Sequence, residues 1–129
     1  MEDQRKFIFE QLKRLLASYA DRLYEKSNSD TKYELMVKVN FKLNNRTLTQ
    51  LDFASTVIQK NFTGFYFFPI YSHPSRFLEM PVAMRKKLKG KSCFHITKWD
   101  AETENNIKEL LVQGYSLYGN IKEGDQKFI

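Results

Sequence analysis

From Arg5 to Lys26 apolar side chains recur at Ile8, Leu12, Leu15, Leu16, Tyr19 and Leu23. That three-and-four spacing makes one stripe of a long helix. Its other face carries Arg5, Lys6, Glu10, Lys13, Arg14, Asp21, Arg22 and Glu25, mixed charges that suit intrahelical ion pairs better than a uniformly basic membrane-binding face. The period then changes to two. Tyr33, Leu35, Val37 and Val39 alternate with Glu34, Met36, Lys38 and Asn40, the pattern of a half-buried strand. Asn44-Asn45 predicts a turn, Leu48 to Ile58 a second strand with Leu51, Phe53 and Val57 inward, and Lys60-Asn61 a hairpin into a third.

That third segment, Phe62 to Tyr71, has six aromatic residues in ten. Strand alternation sends Phe62, Tyr66 and Phe68 to one face and Phe65 and Phe67 to the other. Both faces are apolar, so each needs covering by the protein, a ligand or a partner. Pro69 weakens the ladder, because proline has no amide donor. His73-Pro74 and Pro81 mark an irregular connection, Met84 to Leu88 a short helix capped by Gly90, and Ser92 to Thr97 a further strand with Cys93 and His95 facing away from the core. Asp100 is placed to cap a last helix whose stripe is Ile107, Leu110, Leu111, Tyr115 and Tyr118.

These elements predict an α+β two-layer sandwich, an antiparallel sheet of four to five strands with the N- and C-terminal helices on one face. A length of 129 residues fits one domain spanning 1–129, its core at about 5–118 and the tail from Gly119 loose. If both helices share a face, one set of rings is left for a partner, a ligand or the connection from Ile70 to Leu88.

The net charge of +6 favours an acidic contact, although cations spread along the chain also serve solubility. Cys93 is the only cysteine, which rules out an internal disulfide and suits a reducing compartment. The charged N-terminus lacks a secretory core and no apolar run approaches a membrane span, so the sequence reads as a soluble cytoplasmic protein.

Three blocks, Phe53-Ala54-Ser55, then Phe65-Tyr66-Phe67-Phe68-Pro69-Ile70-Tyr71 with His73-Pro74, then Leu88-Lys89-Gly90-Lys91-Ser92-Cys93-Phe94, precede a helix ending at Tyr118. In that order and spacing, over roughly residues 30 to 118, the chain resembles the bacterial YdhG-like domains, a family of unknown function. The resemblance implies a fold similar to frataxin, an iron-delivery protein of iron–sulfur cluster assembly. It thereby implies an iron-donor role as the alternative function. Iron sites of that type need clustered carboxylates. Glu10, Asp21 and Glu25 are instead interleaved with Lys13, Arg14, Arg22 and Lys26, and no iron ligand or other cofactor is assigned.

Catalytic signatures are absent from the sequence. Cys93 and His95 share a strand face but lack a third ligand or an orienting group for metal or nucleophilic chemistry. The segment around Gly64, Phe65 and Phe67 matches an RNA-binding strand motif only in part, so nucleic acid is disfavoured. Arg85, Lys86, Lys87, Lys89 and Lys91 form a basic cluster that would bind an anion or merely complement a helix end. The sequence therefore predicts a non-enzymatic binding module. Phe65, Phe67, Tyr71, His73, Arg85, Lys87 and Lys91 are its expected site residues, and a partner protein, a homodimer partner or a small anionic ligand its expected occupant.

Overall fold

A computed structural model describes residues 3–43 and 46–118. The Asn44-Asn45 turn and the tail from Gly119 lie outside the described residues. The chain runs α1 (Arg5–Ala17), β1 (Tyr24–Asn28), β2 (Lys32–Leu43), β3 (Arg46–Ile58), β4 (Thr63–Phe67), α2 (Pro69–Ser72), α3 (Val82–Arg85), β5 (Leu88–Lys89), β6 (Cys93–Ile96) and α4 (Ala101–Tyr118), with a 3-10 turn at Pro74–Phe77. It is an α+β fold around one antiparallel sheet of six strands in the order β1-β2-β3-β4-β6-β5. No helix among the described residues is long and apolar enough to cross a membrane.

The expected helix from Arg5 to Lys26 ends at Ala17. Beyond it the backbone tightens into three-residue steps, Tyr19 N–H to Leu16 C=O, Ala20 to Ala17 and Arg22 to Tyr19, each at 3.0 Å. Such turns keep Tyr19 and Leu23 packed on the core, which is why the apolar stripe outlasts the helix. Tyr24 to Asn28 then pairs as an edge strand, although its alternating polar residues carry little strand signal. The helix expected at Met84 to Leu88 forms earlier, at Val82–Arg85 behind Pro81, leaving Leu88-Lys89 to pair with β6. Gly90, at φ 77°, occupies the tight link between those two strands instead of capping a helix.

A single core fills the space between the helices and one face of the sheet. Ile8, Phe9, Leu12, Leu15 and Leu16 of α1 and Ile107, Leu110, Leu111 and Tyr118 of α4 join Tyr33, Leu35, Phe53, Phe65, Phe67, Phe94 and Ile96 from the strands. Asp100 starts α4 as the sequence suggests, its carboxylate accepting from the Thr103 amide at 2.8 Å. The connection after Pro69 closes the same core, with Phe77 set edge-on to Phe67 at 5.5 Å between ring centroids and Met80 and Met84 buried beside them. It therefore leaves the opposite face of the sheet without a helix among the described residues.

Thr56 sits on the helix-covered face, paired across β2 with Tyr33 and across β4 with Phe65. It is fully buried, and its hydroxyl has no hydrogen-bond partner. Valine has nearly the same shape without the desolvated hydroxyl. Thr56→Val is therefore expected to raise the stability measured by chemical denaturation by about 1 kcal/mol. Phe67→Ala, which hollows the centre of the core, is expected to lower it by about 3 to 5 kcal/mol. Unchanged stability in either variant contradicts this account of the core.

Candidate functional site

β4 divides its rings by strand alternation, as the sequence predicts, but Phe65 and Phe67 are the core set. Both are 0% exposed. They stack on each other at 5.6 Å, and Phe65 also stacks on Phe94 at 5.8 Å. Neither is available to a ligand, so their assignment to a recognition surface is corrected: with both long helices and the connection on one side, the inward rings are the ones consumed.

The other set faces the uncovered side. Phe62 lies flat on His95, with ring centroids 3.6 Å apart and planes 11° from parallel. Tyr66 folds back over Gly64, where a Cβ would stand 2.7 Å from the Tyr66 ring, so the missing side chain lets the ring lie against the strand. Its hydroxyl accepts from the Gln59 amide at 2.8 Å. Phe68 leans edge-on to Tyr71 at 5.4 Å, and the Lys91 ammonium stands 5.2 Å from the Tyr71 ring centre. The open face thus presents half-buried rings that already hold one another.

Beside Tyr66 and Phe68 the face dips into a depression of about 230 Å³ lined by Glu34, Leu35, Asp52, Phe53, Ala54, Ser55, Tyr66, Phe68 and Ser92. A β-bulge makes it. Leu35 pairs with Ala54 and the next residue, Met36, pairs with Asp52, so Phe53 has no partner across the ladder. The extra residue lets Phe53 and Ala54 both bury while Asp52 and Ser55 on either side emerge on the open face. Glu34 is held in place: its carboxylate accepts from the Ser27 hydroxyl at 2.9 Å and pairs with the Lys32 ammonium at 3.3 Å. A larger cleft of about 540 Å³ lies on the helix side, between Ser75–Pro81 and Asn106, Glu109, Leu110 and Gln113 of α4.

Of the other expected site residues, Tyr71 and Lys91 meet. His73 caps α2, where its Nδ1 lies 2.8 Å from the Ser72 hydroxyl and its ring packs against Tyr118. Ser72 also bonds to the Tyr118 hydroxyl, tying α2 to α4. Burial pushes that phenol up to about 12. Arg85 donates to the Phe77 carbonyl at 2.7 Å and Lys87 to the Ala83 carbonyl at 3.3 Å. These two cations brace the connection, and neither lines the open-face depression. Glu34, Asp52, Tyr66, Phe68 and Ser92 were not singled out by sequence reasoning. The ring alternation pointed to Tyr66 and Phe68, whereas the bulge that recruits Asp52 leaves no local mark.

Cys93 and His95 face the open side as expected. His95 is stacked under Phe62, and burial pushes the Cys93 thiol above its ordinary range. A raised thiol is neutral at pH 7 and weakly nucleophilic. Alkylation of Cys93 by iodoacetamide at pH 7 is accordingly expected to be slower than for a free cysteine and to accelerate as pH rises through the elevated thiol range. A rate equal to or above that of free cysteine would restore Cys93 as a candidate nucleophile.

No family model, curated protein or solved structure matches this chain.

Proposed function

We propose that this domain is a non-enzymatic binding module of the cytoplasm whose recognition surface is the helix-free face of the sheet. The observation that carries the reading is the separation of faces. Both long helices and the buried side chains of the Pro69–Leu88 connection pack on one side, while Phe62, Tyr66 and the bulge-made depression stand on the other. Rings held against one another lose little freedom when a partner covers them, which favours association. A partner protein, a second copy of the chain or a small ligand each fits such a surface. The anion expected from the basic cluster has less support on this face, because Arg85 and Lys87 stand along the connection and neither lines the depression.

The helix–sheet–helix order, with both long helices on one face, supports placing the chain with the YdhG-like domains and their frataxin-like fold. Iron delivery gains nothing from α1. Glu10 is its one acidic residue, and Asp21 and Glu25 fall in the turn and in β1.

In a screen of small aromatic and charged compounds followed by backbone-amide shifts, binding is expected to move Phe53, Ala54, Ser55, Tyr66 and Ser92. Binding that maps instead to Asn106, Glu109 and Gln113, or a screen that leaves residues 52–55 and 66–68 unmoved, overturns the assignment of the open face.

A further inference from the structure

We infer that the open-face depression takes a cationic head group, an alkylammonium or a guanidinium. The inference rests on the open face being the recognition surface and adds the chemistry of what it holds. In a chain with 21 Lys and Arg against 15 Asp and Glu, the described residues of the lining include two carboxylates, Glu34 and Asp52, and no basic residue. With Glu34 offset by Lys32, Asp52 gives the lining its sign, opposite to that of the whole protein.

The two acids have different roles. Glu34 is anchored by Ser27 and Lys32. Asp52 is exposed and, among the described residues, has no cation paired with it. Bulge geometry puts Asp52 on the open face, in the Met36–Asp52 pair two along the ladder from Glu34–Ser55. A cation entering the depression meets the unpaired carboxylate of Asp52 and the hydroxyls of Ser55 and Ser92, all acceptors for N–H groups. The rings of Tyr66 and Phe68 line the same depression, and aromatic faces attract cations. The chain uses the same pairing internally, with Lys38 over Tyr24 at 5.4 Å and Lys91 over Tyr71 at 5.2 Å.

Size narrows the class. About 230 Å³ equals the liquid volume of roughly seven or eight waters at ~30 Å³ each, enough for a head group and a short alkyl stem. A phosphate or carboxylate of that size would face Asp52, which has no cation paired with it among the described residues. The same chemistry is offered by a free amine or guanidine and by a Lys or Arg side chain of a partner protein.

The test uses the full chain and backbone-amide shifts, with butylguanidinium and butylammonium as free probes, acetyl-Gly-Arg-Gly-amide as the chain-borne probe, and propionate and phosphate as anions. The cations are expected to move Asp52, Ala54, Ser55 and Tyr66 saturably. Asp52→Asn is expected to weaken them roughly tenfold, and added salt to weaken them further. Tighter binding of the peptide than of butylguanidinium assigns the source to a protein partner; equal binding assigns it to a free small molecule. If anions bind as well as cations, or Asp52→Asn changes nothing, the cationic assignment is overturned while the open face remains a recognition surface. Silence from all probes, neutral aromatic compounds included, removes both.

Discussion

Phe67 packs where a side chain on α4 would otherwise stand. A Cβ at Gly114 would lie 2.6 Å from the Phe67 ring, and Pro69 lines the same notch at 3.0 Å. The phenyl group therefore docks directly on the α4 backbone while touching Phe53 from β3 and Phe77 from the connection. Because one ring joins the central strand, the C-terminal helix and the connection, the direction of its Cα–Cβ bond decides which face of the sheet is interior. Every other assignment of faces follows from that bond. Phe65 must point inward with it and Tyr66 must point out, while Phe68 follows the strand as the αR residue that starts α2.

The bulge at Phe53 depends on the same packing. Phe53 packs against Tyr19, Phe67, Tyr115 and Tyr118 with centroids 5.8 to 6.5 Å apart, so its inward direction is fixed by four rings. Ala54 is fixed inward as well, by its pairing with Leu35 and Phe67. Two consecutive residues cannot both face inward in a regular strand, and the ladder slips by one residue to accommodate them. Asp52 and Ser55, displaced to the other face, line the depression. The hollow on the open face is thus a geometric consequence of crowding in the core.

Much of this was legible in the chain. Period-two alternation located β2, β3 and β4, the three-and-four stripes located α1 and α4, and Asp100 marked its helix start correctly. What failed failed for nonlocal reasons. Tyr24 to Asn28 is a strand because β2 offers an edge to pair with, not because of its own residues. The division of β4 into two ring sets is a local property, whereas the identity of the buried set depends on where α4 and the connection dock. The places of Arg85 and Lys87 along the connection are not legible either, since nothing in the sequence shows that the Phe77 and Ala83 carbonyls will come within reach. The acidic pair Glu34 and Asp52 is 18 positions apart by sequence number and becomes a pair only through strand pairing and the bulge.

Whether the open-face rings exist for the stability of the monomer can be judged from their contacts. Phe62 on His95 and Phe68 on Tyr71 are pairs worth about 0.5 to 1.5 kcal/mol each beyond area burial, while all four residues stay partly exposed. A strand needing only stability would gain as much from β-branched or polar residues on its solvent face, without an exposed apolar surface that invites association. Tyr66 adds a further constraint, because its ring position requires glycine at 64, a residue that weakens a strand interior. A central strand here gives up a side chain so that a ring can lie flat over the strand on the helix-free face.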